Sequence, residues 1–343
     1  MSEVPEKRKF WIGFDLGGTK MLAVVFDERL RMVSKKRRKT RSGDGEVVNP
    51  DRISETILMA LEEAGAGPDA IAGIGAGVPG PLDLQKGLIL EAPNLGWKNV
   101  ALQEYLSKKF KCPAVICNDV DGGVFGEYAM GAGQGCRSVL GVFPGTGIGG
   151  GFVYEGKIFR GTHASCMEVG YLQVASEGPM AGAGPPGTLE GMASRLAISA
   201  EAAKAVYRGQ APHLKELSGT DISRIRSSSL AKSIDMGDKV IEQIVTRAAE
   251  QVGRGIGSLV NILAPDVVVL GGGLVEAMPK LYLDGVNQGI RKTVLPSLAD
   301  CARIKVSELG DYAGATGAAA LVRQEVQEGR RQKQGTNDSK MAK

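Results

Sequence analysis

Residues 10–15 and 21–27 are two apolar runs of strand length separated by Gly17-Gly18, a pattern that predicts two strands joined by a tight turn. Asn49-Pro50-Asp51 has the make-up of a helix start, and Ile53, Ile57, Leu58 and Leu61 recur on one helical face until Gly65. Residues 71–78 read as a buried strand closed by Pro79-Gly80-Pro81. Val100, Leu102, Leu106 and Phe110 mark a second amphipathic helix, and residues 114–117 form a short strand running into Asn118-Asp119. Asn-Asp at a strand end is by itself most simply an Asx turn or a cap for a helix over 122–130. This strand–helix–strand alternation predicts an α/β unit.

A second round begins near Ser138. Residues 139–143 are strand-like, Gly145-Thr146-Gly147 interrupts them, and residues 150–154 resume before a Glu155-Gly156 turn. An apolar strand, a Gly/Thr loop and another apolar strand thus occur twice, an internal likeness that suggests two related lobes facing each other across a cleft. Further on come a helical stretch over 188–207 and a long helix over about 238–263, striped by Val240, Ile244, Val245, Ala248, Val252, Ile256, Leu259 and Leu263 and ended by Pro265. The apolar strand 267–270 opens onto Gly271-Gly272-Gly273. The first nine residues, and those from about 324 to the end, are polar and aperiodic and read as frayed tails.

Composition narrows the function. Lysine and arginine total 42 against 38 acidic residues, a net charge of +4, and no run approaches the roughly 18 uncharged apolar residues of a membrane span. The N-terminus lacks the apolar stretch of a secretory signal. Five cysteines without a C-x-x-C pair, and only His163 and His213, argue against a disulfide scaffold, a thiolate zinc site or a multi-histidine centre, and for a reducing cytoplasm. Glycine, at 49 residues, is about twice its average usage. Its clustering in short loops between apolar runs suggests backbone approaching a ligand.

Three loops carry that chemistry. Glycine removes the Cβ and permits positive φ, so successive N–H groups can converge on an anion. Gly17, Gly18, Thr19 and Lys20, with Asp15 as a carboxylate able to hold a metal-bound water, form the first. Gly145, Thr146 and Gly147, within a run extending to Gly151, form the second. The third is Gly271–Gly273, at the carboxyl end of a buried strand, where open α/β sheets bind ligands. One such loop is most simply a hairpin turn; three together favour two phosphate cradles and a nucleoside site. Asp119 is placed to receive an acceptor hydroxyl's proton, beside Asn118, whose amide can both donate and accept.

Taken in order, these segments resemble the ROK (repressor, open reading frame, kinase) family of sugar kinases and regulators. The likeness includes residues 74–83 and 92–97 as its two sugar-side segments, and runs from about residue 10 to 322. The resemblance implies the two-lobed actin-like ATPase (ribonuclease H-like) α/β fold with an interlobe cleft. Residues 10–120 would form the N-terminal lobe, completed by a C-terminal helix near 312–327, and 121–311 a larger lobe, with 1–9 and 328–343 as disordered tails. It implies a cytoplasmic, glucokinase-like enzyme, a homodimer, that phosphorylates a hexose with ATP and Mg²⁺. Asp119 would be the general base, Asp15 would approach Mg²⁺ through water, and Asn94, Asn118, Glu168, Tyr171 and Glu190 would contact the sugar. Phosphorylation of another hexose, such as N-acetylmannosamine or fructose, a polyphosphate donor, and a non-catalytic sugar sensor are the alternatives.

One segment departs from the family. Its structural zinc is held by one His and three Cys, and Tyr171, Ala181, Ala183 and Thr188 stand at those positions, so no zinc is expected. Pro185-Pro186 would stiffen the loop instead. The family's repressors carry a helix-turn-helix domain before the first phosphate motif, whereas 14 residues precede Asp15. The basic run Lys35-Lys36-Arg37-Arg38-Lys39 lacks interleaved aromatics and reads as a solvated edge strand or loop, so neither nucleic acid nor membrane is an expected partner.

Overall fold

The computed structural model describes residues 9–40, 48–161, 166–182, 184–301 and 303–341, with side chains as far as residue 330. The chain divides into two compact units: residues 1–135 with 158–166 and 311–343, and residues 136–157 with 167–310.

In the first unit, β1 (Phe10–Leu16), β2 (Lys20–Phe26), β3 (Met32–Lys39), β4 (Ile71–Val78) and β8 (Ala114–Asn118) form one sheet in the order β3-β2-β1-β4-β8. The hairpins β1–β2 and β2–β3 are antiparallel, while β1, β4 and β8 run parallel. The short strands β5 (Leu82–Asp83), β6 (Leu88–Ala92) and β7 (Trp97–Val100) make a second, three-stranded sheet. Strand β1 is apolar almost throughout because it is central and covered on both faces, as the near-continuous hydrophobic run anticipates.

Helices α1 (Pro50–Glu63), α2 (Leu102–Phe110) and α3 (Asp119–Met130) belong to the same unit. Asn49 caps α1, its side chain accepting the Asp51 N–H at 2.9 Å. Ile53, Ile57 and Leu61 bury the predicted stripe, but Leu58 faces outward, 39% exposed. The C-terminal helix runs Ala313–Met341, past the end expected near 327, so the tail placed at 328–343 is helical through Met341. Ala315, Ala318, Ala319 and Val322 bury its first half. The second half is polar and lacks the apolar stripe that would have revealed it.

The second unit repeats the plan. β9 (Ser138–Pro144), β10 (Ile148–Tyr154), β11 (Lys157–Ile158), β12 (Val267–Leu270) and β13 (Arg303–Val306) are ordered β11-β10-β9-β12-β13. Again the first two strands form an antiparallel hairpin, and β12 and β13 add in parallel. The internal likeness read from two Gly/Thr loops is therefore a likeness of whole sheets. Helices α4 (Leu189–Ala193), α5 (Arg195–Tyr207), α6 (Pro212–Ser218), α7 (Ser227–Asp235), α8 (Lys239–Leu263), α9 (Gly273–Ala277) and α10 (Pro279–Arg291) complete it. The helical stretch expected over 188–207 is two helices. Ser194, with an extended ψ of 161°, breaks it and caps α5 by accepting the Ala197 N–H at 3.2 Å.

The division differs from the boundary expected at 120: the first unit extends to Gly135 and takes back 158–166. The reason lies in glycine. A Cβ on Gly126 would lie 2.3 Å from the Ala313 oxygen, and one on Gly317 only 1.8 Å from the Gly122 oxygen, so α3 and the C-terminal helix touch backbone to backbone. Gly13 and Gly75 meet the same helix at 1.9 and 1.8 Å. These four glycines thus serve close packing between elements, a use that the compositional reading did not separate from the glycines of the loops.

Candidate active site

Parallel strands end on one edge of a sheet, so β1, β4 and β8 deliver their carboxyl-terminal residues side by side. In register, Asp15 pairs with Gly77 and Gly77 with Cys117, which puts Asp15 and the Asn118-Asp119 pair on the same edge. Asn118 is the α3 N-cap. Its Oδ1 accepts the Val120 and Asp121 N–H groups at 2.9 and 3.2 Å, so the acceptor end of this amide serves the helix. Asp119 opens α3, and its Cα lies 3.6 Å from where a Cβ on Gly77 would stand.

Asp15 is half-buried. Burial first, then the negative charges of Asp119 and Asp311, push its carboxyl up to about 7, against the lowering effect of Arg37. The Asp15 carboxyl carbon lies 3.3 Å from the position of a Cβ on Gly314, near the start of the C-terminal helix, where the helix dipole favours an anion. Two acids whose charges oppose each other on a strand edge suit a divalent cation, so the residues present fit the Mg²⁺ that the family implies.

The turn between β1 and β2 is closed by the Gly17 N–H donating to the Lys20 oxygen at 3.0 Å. Gly18, Thr19 and Lys20 are exposed. A Cβ on Gly18 would sit 3.4 Å from the Asn94 Cβ, so the first glycine loop and a sugar-side candidate are neighbours. Thr40, fully buried, was not foreseen: its hydroxyl donates to the Gly17 oxygen at 2.6 Å and its N–H to the Thr19 oxygen at 2.9 Å. Nothing in the sequence marks a lone threonine 23 residues downstream as the clip of this turn.

In the second unit the loop Gly145–Gly147 occupies the matching place, between the first and second strands of the sheet. The Gly145 N–H donates to the Gly147 oxygen at 2.8 Å. Glu190, in the first turn of α4, accepts the Ile148 N–H at 2.7 Å, and a Cβ on Gly147 would collide with its Oε2 at 2.3 Å. The Gly271–Gly273 segment adjoins this loop. The Gly271 N–H donates to the Val142 oxygen at 3.1 Å, and a Cβ on Gly272, whose φ is +88°, would stand 2.7 Å from the Pro144 oxygen. Glu168 is exposed and precedes a single 3-10 turn, Val169–Tyr171; Gly170 packs against Ile148 and Glu190. Two of the three glycine loops, with Glu168 and Glu190, are therefore gathered in this unit, and the first loop with Asp15, Asn94, Asn118 and Asp119 in the other.

Where the family holds zinc, the donor set does not fit: Tyr171, Ala181 and Thr188 supply neither thiolate nor imidazole. Ala183 and His163 lie outside the described residues. The Tyr171 ring lies over Gly184, whose Cβ would meet it at 2.4 Å, and Thr188 caps α4 through its hydroxyl. Gln173 ties the segment by donating to the Ala175 and Pro186 oxygens at 2.5 and 2.7 Å. The basic run forms the edge strand β3, where Lys36, Arg37 and Arg38 pair with Glu63, Asp311 and Glu55. Among the described residues no helix is long and apolar enough to cross a membrane.

Two sheets of like order, each with a glycine turn after its first strand, belong to the actin-like ATPase fold. The chain belongs to the ROK family, whose model matches residues 11–325. It is 29% identical to a glucokinase of Halalkalibacterium halodurans over 92% of this chain and 96% of that one. The structure of a ROK family glucokinase from Streptomyces griseus, in complex with glucose and AMPPNP, is similar with a TM-score of 0.78 and 29% identity, covering 92% and 99%. A ROK hexokinase from Thermus thermophilus gives 0.78 and 32%, covering 93% and 99%. Xylose repressors are among the relatives as well.

Proposed function

We propose that this sugar kinase transfers the terminal phosphoryl group of ATP to a hexose hydroxyl, foremost the 6-hydroxyl of glucose, with Asp119 as the general base. The observation that carries the proposal is the shared strand edge of Asp15 and Asp119, with the glycine turn at Gly17-Gly18 against Asn94. Glucokinase relatives matched over nearly the whole chain support the same reading.

Phosphoryl transfer has a loose transition state, which leaves the protein to align the reactants, neutralise charge and accept a proton. The sugar O–H bond breaks and its proton passes to the Asp119 carboxylate. The freed oxygen bonds to the terminal phosphorus while the bond to the leaving ADP oxygen breaks. Glycine amides at Gly17-Gly18 and Gly145–Gly147 would bind phosphate oxygens, and Gly271–Gly273 would border the nucleoside. Asn94, Asn118, Glu168, Tyr171 and Glu190 would fix the sugar. Mg²⁺, when bound, screens phosphate charge, and Asp15 would hold it through water.

A coupled assay of ADP release, run with glucose, mannose, fructose and N-acetylmannosamine, tests this. Turnover with at least one hexose that Asp119→Asn lowers by about 10²- to 10⁴-fold is the expected result. Absence of turnover on every hexose, with ATP and with polyphosphate, refutes it and favours a sugar-sensing role.

A further inference from the structure

We infer that Arg195 and Arg226 form a phosphate-binding pair beside the second glycine turn, a contact for the phosphoryl donor that no loop motif marks. The inference rests on the reading of Gly145–Gly147 as a donor loop and adds side chains to it.

Arg195 is the first residue of α5 and is held against that turn from two directions. Its N–H donates to the Gly145 oxygen at 2.8 Å, and its guanidinium donates to the Thr146 hydroxyl at 2.7 Å. The other guanidinium nitrogen reaches the Ile225 oxygen at 3.3 Å, which brings the side chain up to the Arg226 backbone. Arg226 in turn is the N-cap residue of α7. Both cations therefore stand at the positive ends of helices, where acids are the stabilising choice. Helices α1, α3 and α4 follow that rule with Asp51, Asp119 and Glu190 in their first turns.

Hydrogen bonds to Thr146 and Ile225 hold Arg195, but no acid among the described residues balances either charge. Among the described residues, neither arginine enters an ion pair, although thirteen such pairs are formed elsewhere. Burial and then the Arg226 charge depress the Arg195 proton affinity, the mark of two guanidiniums sharing one neighbourhood. Breaking the local electrostatic rule without a compensating acid is characteristic of functional positions. The missing partner is an anion. Its place is set by the glycine segments on both sides: Thr146 on one, and on the other Gly273, whose Cβ would lie 3.6 Å from the Ser227 hydroxyl. A chain of phosphates ending in a nucleoside meets those chemistries, since guanidinium forks match phosphate oxygens and a hydroxyl can donate to them.

The test compares Arg195→Gln, Arg226→Gln and Arg195→Lys with wild type. Calorimetry measures binding of a non-hydrolysable ATP analogue, of adenosine and of inorganic tripolyphosphate, and the coupled assay gives KM for ATP and for hexose. Each glutamine variant is expected to weaken the analogue and raise the ATP KM by about tenfold. Adenosine affinity and hexose KM should stay near wild type, as should the thermal midpoint of Arg226→Gln, and Arg195→Lys should recover part of the loss. Parallel weakening of tripolyphosphate identifies the phosphates as the contact, and its binding in preference to the analogue would indicate a polyphosphate donor. Equal weakening of adenosine and analogue, or no change in either, overturns the pair as a phosphate contact. Wild-type protein that does not bind the analogue or tripolyphosphate overturns the donor-loop reading as well.

Discussion

Glu190 holds the second glycine turn: its carboxylate accepts the Ile148 N–H at 2.7 Å, with Gly147 pressed against the same oxygen. A residue expected at the sugar is thereby also a support of the turn proposed to bind phosphate. Glu190→Ala should leave the Ile148 N–H without its acceptor and lower stability by about 1–3 kcal/mol, with KM raised for both ATP and hexose. Glu190→Gln keeps an acceptor and should retain most of the stability while still impairing sugar binding. Urea denaturation alongside two-substrate kinetics separates the effects.

Asp15 gives the protein a defined pH dependence. Its folded value, about 7, lies above the ordinary 3.8, so between those limits the folded state holds a proton that the unfolded state has lost. Stability from this group is therefore full below about pH 4 and declines as pH rises through about 7. In metal-free protein, Asp15→Asn should remove that decline and raise stability at pH 8 by on the order of 4 kcal/mol. Thermal melts from pH 5 to 8, in chelator, check it. An equal slope in both proteins would contradict it.

Thr40 is the clip of the first turn. Thr40→Val keeps the shape but removes the hydroxyl that reaches the Gly17 oxygen, at a cost of about 1 kcal/mol. Because that turn carries Gly17 and Gly18, the ATP KM should rise while the hexose KM changes less. Steady-state kinetics at saturating hexose measures the split.

Glycine to alanine substitutions should sort by location. Gly317→Ala forces a methyl group to within 1.8 Å of the Gly122 oxygen and should destabilise by about 3 kcal/mol or more. Gly329, in the same helix with nothing near its absent Cβ, should gain a few tenths of a kcal/mol as alanine. Denaturation midpoints of the two variants provide the comparison.

The paired cations of β3 give a fifth test. Lys36, Arg37 and Arg38 are each engaged by an acid, so no retention of duplex DNA is expected in a gel shift at physiological salt. Retention there would point back to the repressor branch of the family.

Strands β1, β2, β4, β9 and β12 were legible in the chain because central strands covered on both faces need unbroken apolar runs. The three glycine loops and Asn118-Asp119 were legible for a related reason: turns at strand ends impose their chemistry on consecutive residues. What stayed hidden was set by packing between distant segments. The return of residues 158–166 to the first unit, and the glycine contacts of α3 with the C-terminal helix, join segments far apart in sequence. Thr40 on the first turn, and Arg195 with Arg226 at the second, are likewise neighbours only after folding. Local sequence encodes periodicity and turn chemistry, because those act over a few residues. Burial, charge proximity and backbone contact act through space, and only the tertiary structure decides which side chains they bind together.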